Sequence, residues 1–239
     1  MSAGQRLREP RAEAGDLPAR DPARANWRLA GWTALIVFMS AIAYASQLSS
    51  GSPPNDVAYR WSTSILGLVQ YAVILGILLL ITLGLDRRSF LAFRRPSSWK
   101  RAAGIAAVVL FTVLVVGGIV DQFANPEREQ GLIPQHWDSS KIAPFVGFTI
   151  IVVVVAPIVE ELQFRGVGYG LLERFGRTAA ILLVGLAFAL VHGLIAGFPV
   201  IFVFGCGLAY LRSRTDSIYP CMLLHACFNA FGLIAGIAS

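Results

Sequence analysis

Ionisable side chains are scarce in the long apolar runs of this sequence, and in its C-terminal half they fall into three short groups. A charge at the centre of a bilayer costs about 2.5–3.5 kcal/mol on insertion scales, so residues of this kind usually have a partner or a function. The groups are Glu160-Glu161-xxx-Arg165, Phe188-xxx-His192 and His225-xxx-Asn229.

The first group combines two acids and one base at helical spacing. Glu161 and Arg165 are four residues apart with the acid first, which is the favourable order for an ion pair on a helix. Glu160 points about 100° away from Glu161 around a helix, so one carboxylate can be neutralised by Arg165 while the other faces the interior of a bundle. The alternative is that the apolar span ends at Val159 and that the three charges form a solvated boundary.

The three groups together could hydrolyse an amide. A buried carboxylate such as Glu160 can take a proton from water, and His192 can orient that water or carry the proton. His225 and Asn229 share one helix face, and both can donate hydrogen bonds to the oxyanion that forms when water attacks a carbonyl carbon. Taken singly, His192 could also be a hydrogen-bonded core residue, and His225 with Asn229 a polar pair that packs two helices.

Two common hydrolase motifs, the G-x-S-x-G serine motif and the H-E-x-x-H zinc motif, do not occur in the sequence. Glu160, His192 and His225 could still bind zinc as a set of two histidines and one glutamate with an open position. A divalent metal therefore stays open as a cofactor, although a mechanism based on the glutamate alone requires none.

These groups must be held by membrane-spanning helices. Of the 239 residues, 56% are hydrophobic and only 14% are charged, against about 25% charged in soluble domains. The apolar runs have the length that a helix needs to cross the hydrocarbon core, where no water is available to an unpaired backbone. The sequence therefore predicts an all-α, polytopic transmembrane helical bundle. Its seven predicted spans are Arg28–Ser46, Ser62–Leu85, Ala102–Val120, Ala143–Val159, Thr178–Leu194, Pro199–Leu211 and Ser217–Ala238.

The spacing around Gly176 relates the first two groups to each other. Glu160 lies sixteen residues before this glycine and His192 lies sixteen residues after it. At 1.5 Å per residue, both are about 24 Å from a turn at Gly176, provided that the fourth helix continues to that turn. An antiparallel helical hairpin would then bring the carboxylate and the imidazole to the same depth.

Charges alternate in sign between the segments that connect the spans. Segment 86–101 contains six basic residues and one acid, whereas segment 121–141 contains four acids and two basic residues. The positive-inside rule then predicts a multi-pass protein of the cell membrane with a cytoplasmic N-terminus. It also accounts for the net charge of +6 without a nucleic-acid partner. The predicted domains are a disordered cytoplasmic tail, 1–26, and a transmembrane domain, 27–239, in which 143–236 bears the motifs.

The tryptophans all fall at or near predicted span ends, which predicts interface anchors rather than a binding site. They are Trp27, Trp32, Trp61, Trp99 and Trp137.

In their order and on separate spans, the three motifs resemble those of the CAAX protease and bacteriocin-processing family of intramembrane proteases, also called CPBP or ABI. The family pattern of EExxxR, FxxxH and HxxxN is matched at every anchor position, and the resemblance covers roughly Ala143–Gly236. It implies a bundle of about eight spans in which Glu160 and His192 activate water. It further implies that His225 and Asn229 form the oxyanion site. The residues implied to be supporting are Glu161, Arg165 and Phe188.

The predicted function is an intramembrane endopeptidase, similar to CAAX prenyl endopeptidases, that cleaves a membrane-associated peptide or protein. The family has been described both with and without a metal, so the resemblance leaves the cofactor open. A non-catalytic membrane scaffold or bacteriocin-immunity protein of the same fold is the rival hypothesis, and a small transporter using Glu160 and His192 as a proton relay is a third. Arginine supplies 18 of the 20 basic residues, which is typical of a GC-rich genome and favours a bacterial source.

Overall fold

The computed structural model describes residues 22–49, 56–124 and 137–238, and within these ranges it contains helices, turns and loops but no strand. The predicted all-α fold class is therefore confirmed. Besides one short 3₁₀ turn, the described residues form eight helices. They are α1 (Pro22–Ser49), α2 (Trp61–Ile81), α3 (Arg87–Phe90), α4 (Trp99–Val120), α5 (Ser139–Phe175), α6 (Arg177–Val191), α7 (Phe198–Thr215) and α8 (Tyr219–Ala238).

Local sequence explains where several of these helices begin and end. Ser98 and Asp138 precede α4 and α5, and each side chain accepts a hydrogen bond from a backbone N–H of the first turn. Gly176 separates α5 from α6 with φ +97°, a conformation that glycine adopts without steric cost. Asp216 ends α7 in the left-handed region with φ 51°.

Five of the eight helices in the described residues are long and apolar enough to cross a membrane, and the chain is a multi-pass membrane protein. Four of them, α1, α2, α4 and α8, correspond to predicted spans. The fourth predicted span, Ala143–Val159, was too short, because it is only part of the 37-residue α5. The predicted spans Thr178–Leu194 and Pro199–Leu211 correspond to α6, which has only 15 residues, and to α7, which has two arginines in its last turn.

Helix α2 illustrates how these helices divide their surface between protein and lipid. Ile74, Leu78 and Ile81 are buried at a spacing of four and three residues, which places them on one face. Leu66 and Leu80, by contrast, are exposed although they are fully apolar. An apolar face that the protein leaves uncovered fits contact with lipid.

Helix α7 packs between α4 and α6, and glycines allow the close approach. A side-chain carbon on Gly185 of α6 would collide with Cys206 of α7. A Cβ on Gly207 would come within 2.5 Å of Val109 on α4. Small residues at helix crossings are a common way to pack helices inside membranes.

Two ends of the bundle can be distinguished. The backbone N–H of Ile218 donates to the Ala92 carbonyl oxygen, and Arg94 forms an ion pair with Asp216 at 3.2 Å. The start of α8 therefore meets the arginine-rich segment 86–101, which precedes and begins α4, at one end of the bundle. The C-terminal ends of α4 and α8 lie at the other end.

One predicted interface anchor was placed wrongly. Trp32 is only 4% exposed, and its indole N–H donates to the Gln163 carbonyl oxygen at 3.0 Å. It is a core residue that holds α1 against α5, whereas the other four tryptophans are about half exposed. Most of the predicted N-terminal tail lies outside the described residues, which begin with α1 at Pro22, four residues before the predicted end of that tail.

Candidate active site

Helix α5 changes its winding on both sides of the two glutamates. Residues Ala156–Glu161 form α-helix, but Ile151–Val155 before them and Leu162–Gly168 after them form the wider π-helix. π-Helical turns are rare, and they occur often at functional sites. The Val152 carbonyl oxygen in the first π segment accepts a hydrogen bond from Nδ2 of Asn229 at 2.9 Å, which ties α8 to this stretch.

The Glu161–Arg165 ion pair predicted from the sequence spacing is confirmed. Arg165 Nη1 lies 2.9 Å from Glu161 Oε1, and both side chains are fully buried. Arg165 also donates through Nη2 to the Gly205 carbonyl oxygen of α7 at 2.9 Å. Its guanidinium carbon lies 4.5 Å from the centre of the Phe188 ring. Arg165 therefore makes one charged, one neutral and one aromatic contact, and through them it joins three helices.

Glu161 has a second partner on α8. Nδ1 of His225 lies 2.8 Å from Glu161 Oε1, the same oxygen that faces Arg165. A carboxylate can only accept, so the geometry assigns a proton to Nδ1 of His225 and leaves Nε2 as the other functional atom of the ring. Glu161 thus orients the His225 ring while its own charge is balanced by Arg165.

Glu160 has different surroundings from its neighbour. Its side chain is 15% exposed, and Oε1 accepts a hydrogen bond from the Tyr71 hydroxyl of α2 at 2.6 Å. The other oxygen, Oε2, lies 3.8 Å from Nε2 of His225, which is beyond hydrogen-bond distance but close enough for a strong electrostatic interaction. The Tyr71 contact was not predicted from the sequence.

His192 follows the last residue of α6. Its Nδ1 lies 2.6 Å from the Phe188 carbonyl oxygen, and because a carbonyl only accepts, Nδ1 carries a proton. In the neutral ring, Nε2 then has a free lone pair.

Phe188 occupies the centre of the cluster. Its ring centre is 4.5 Å from that of His192 and 5.6 Å from that of His225, and the ring is almost fully buried. It stacks edge-on against Phe164 of α5 at 5.1 Å. Phe188 therefore packs against both imidazoles.

A cavity of about 540 Å³ lies beside these groups, at the end of the bundle where α4, α6 and α8 finish. His192, His225 and Asn229 line it, and most of its remaining wall is apolar. Glu160 does not line the cavity, but its Oε2 lies 3.8 Å from Nε2 of His225, which does. The structure therefore brings the four residues predicted as catalytic into one region, but only three of them to the cavity wall.

The predicted zinc ligands do not form a ligand set in this arrangement. Among the described residues, no three His, Cys, Asp or Glu side chains are grouped closely enough to hold a metal ion. In both His192 and His225, one ring nitrogen is already hydrogen-bonded, to the Phe188 carbonyl and to Glu161 respectively. Histidines that bind a metal through one ring nitrogen usually donate a hydrogen bond through the other, so these two contacts leave Nε2 of both rings available as a ligand atom.

Comparison with known proteins points to one family. Residues 142–231 match the family model described as type II CAAX prenyl endopeptidase Rce1-like. That range contains all three motifs, so the resemblance to the CAAX proteases is confirmed over this part of the chain. No curated protein and no solved structure matches the sequence. At the level of the family, the match supports a protease of the CAAX type.

Proposed function

We propose that this chain, whose residues 142–231 match the type II CAAX prenyl endopeptidase Rce1-like family model, is an intramembrane endopeptidase that uses Glu160 to activate water. The observation that carries the proposal is the difference in surroundings between two adjacent carboxylates, Glu160 and Glu161. Glu161 is fully buried and ion-paired with Arg165, whereas Glu160 is partly exposed and has no cationic side chain within ion-pair distance among the described residues except His225. A carboxylate without a permanent cation keeps its ability to accept a proton.

In the first step, a water molecule gives a proton to Glu160 while its oxygen attacks the carbonyl carbon of the substrate. His192 orients this water, because its Nε2 lone pair can accept the second hydrogen of the water while Nδ1–H remains bonded to Phe188. General bases of this kind accelerate a reaction about 10²–10⁴-fold. The step uses only residues of the chain, and we propose that it needs no metal.

His225 and Asn229 stabilise the oxyanion that forms in this step. Asn229 uses one amide hydrogen for the Val152 carbonyl, so the other remains for a ligand in the cavity. His225 donates through Nε2 when its ring is protonated on both nitrogens. That charge state also balances the buried cluster, because two carboxylates then face one guanidinium and one imidazolium.

The tetrahedral intermediate collapses when the peptide C–N bond breaks. Glu160 returns its proton to the leaving amine, so one water and one peptide bond become one carboxylic acid and one amine. The apolar cavity wall suits a substrate segment that arrives from the membrane. The substrate is therefore proposed to be a membrane-associated peptide or protein, without assuming that it carries a prenyl group.

We further propose that the N-terminus is cytoplasmic, as the arginine-rich segment 86–101 indicates. The cavity lies at the opposite end of the bundle from that segment. Cysteine labelling of intact cells at an introduced Gly51→Cys, in a variant lacking the native cysteines, tests this orientation.

The test of the proposed function compares peptides released from membranes of cells that express wild type, Glu160→Ala or Glu173→Ala at matched levels. Glu173 is the matched control, because it is an exposed glutamate on the same helix. Peptides present with wild type and Glu173→Ala but missing with Glu160→Ala support the proposal. Identical profiles from all three inserted proteins would instead favour the scaffold or immunity hypothesis.

A further inference from the structure

The phenol of Tyr71 contacts Glu160, the residue that is proposed to activate water. Its hydroxyl donates to Glu160 Oε1 at 2.6 Å, a short distance that is typical of a hydrogen bond to an ionised acceptor. Tyr71 belongs to α2, 89 residues away in sequence, and it stands outside the three motifs. Nothing else among the described hydrogen bonds holds this carboxylate.

The chemical type of the partner distinguishes the two glutamates. Glu161 faces the permanent charge of Arg165 at 2.9 Å, so its own charge is already balanced within the buried pair. Tyr71 is a neutral donor, so it can orient Glu160 without supplying a positive charge. A neutral donor suits a carboxylate that must take up a proton and give it back in each turnover.

The position of Tyr71 indicates that it acts through Glu160 and not on the substrate. Tyr71 is absent from the cavity wall, which His192, His225 and Asn229 share. By occupying Oε1, the phenol leaves Oε2 as the oxygen that faces His225. A carboxylate that is held at one oxygen presents its other oxygen in one direction.

Helix α2 can hold the phenol firmly because it packs closely on α5. Gly67 precedes Tyr71 by four residues, so the two share a helix face. A Cβ at Gly67 would lie 3.1 Å from Ile151, and one at Gly147 would lie 3.0 Å from the Trp61 ring. Such tight contacts leave little freedom for α2 to slide along α5.

We propose that Tyr71 is a positioning residue that orients the Glu160 carboxylate for proton transfer. The proposal rests on the proposed function, because it presupposes that Glu160 is the base. It adds to the reaction a residue of the N-terminal half, outside the segment that matches the family.

The first test measures kcat and KM for wild type and Tyr71→Phe on a fluorescence-quenched copy of the peptide whose release depends on Glu160. We expect kcat to fall about ten- to a hundredfold, the scale of one hydrogen bond to a charged group, with KM changed by less than about twofold. Tyr210→Phe is the matched control, since Tyr210 is 43% exposed on α7, and it should leave both constants unchanged. An unchanged kcat, or a rise in KM that accounts for the whole loss, overturns the proposal.

A second measurement does not depend on activity or on the folding of Tyr71→Phe. Infrared difference spectra of protein with isotope-labelled tyrosine compare wild type with Glu160→Gln. The C–O stretch of a phenol that donates to a carboxylate should shift when the acceptor becomes an amide, and the absence of a shift overturns the proposal. If the shift occurs but Glu160→Gln still releases peptides, the hydrogen bond stands and the proposed function fails instead.

Discussion

Replacing Arg165 by methionine tests how much the buried ion pair contributes to stability. Methionine keeps most of the volume of the side chain, but Glu161 loses its cation at 2.9 Å and the Gly205 carbonyl loses its donor. Because both charged side chains are fully buried, no solvent can take the place of the missing partner. Removal of one partner from a buried pair typically costs about 3–5 kcal/mol, and we expect Arg165→Met to lower the free energy of unfolding by that amount.

The assay is reversible unfolding of the purified protein in mixed detergent micelles. Glu161→Gln and the double variant complete a thermodynamic cycle, in which the glutamine can still accept the hydrogen bond from His225. The double variant should be less destabilised than the sum of the single variants by about 1–3 kcal/mol, since it leaves no unpaired charge. Arg177→Met is the control, because Arg177 is exposed at the start of α6 and its loss should matter by less than about 0.5 kcal/mol.

Two results would refute this reasoning. If the free energy of unfolding of Arg165→Met lies within about 1 kcal/mol of wild type, loss of the arginine does not leave an uncompensated buried charge on Glu161. If the single effects simply add, Glu161 and Arg165 do not stabilise each other, and the charge of Glu161 must be balanced by His225 alone.

Two further predictions concern packing and pH. Gly207→Ala should lower the free energy of unfolding by about 1–3 kcal/mol, because the new Cβ meets the stiff Val109 side chain at 2.5 Å. Gly104→Ala is the control, since its Cβ meets open space and should not destabilise the protein. Unfolding in detergent measures both variants. Hydrogen bonds from Ser140 lower the pKa of Asp138. The charged carboxylate therefore stabilises the start of α5 at pH values above the unfolded pKa of about 3.9. This stabilisation is lost as the pH falls through the lower folded pKa and the carboxylate is protonated. The difference in melting temperature between wild type and Asp138→Asn should therefore shrink on acidification to about pH 3, and a difference that is constant with pH would contradict it.

The sequence predicts those parts of the site that depend on residues close to one another in the chain. The i, i+4 spacing of Glu161 and Arg165 is enough to predict their ion pair, because a helix brings such residues together whatever surrounds it. The equal distance of Glu160 and His192 from Gly176 predicts that the two residues lie at a similar depth. Two conditions of that prediction, the turn at Gly176 and the continuation of α5 to it, are present.

The parts that were missed depend on tertiary contacts. Tyr71 and Trp32 lie in apolar runs, where an aromatic residue is equally consistent with the core, lipid or the interface. Their hydrogen bonds to Glu160 and to the Gln163 carbonyl join residues 89 and 131 positions apart, which no local pattern reveals. The length of α5 was underestimated for the same reason, because the charges after Val159 resemble a span end until their partners on other helices are known.

The π segments of α5 also have no counterpart in the sequence pattern. A run such as Ile151–Val155 is uniformly apolar, so its periodicity contains no information about winding. What stabilises the wide turn in part is Asn229, which donates to the Val152 carbonyl from α8. The HxxxN motif can be recognised in the sequence, but the hydrogen bond from its asparagine to the Val152 carbonyl cannot be predicted from it.

The shortness of α6 has a consequence for the bilayer itself. Its 15 residues rise about 22 Å, whereas the hydrocarbon layer is about 30 Å thick, so a helix that starts at one interface ends about 8 Å below the other. His192 follows that end, and Gly193 with φ +65° turns the chain before it can emerge. A short helix of this kind is accommodated where the bilayer is locally thin or where water reaches the helix end. Hydrolysis consumes one water per peptide bond, and such a thinning would bring the aqueous phase closer to the imidazole.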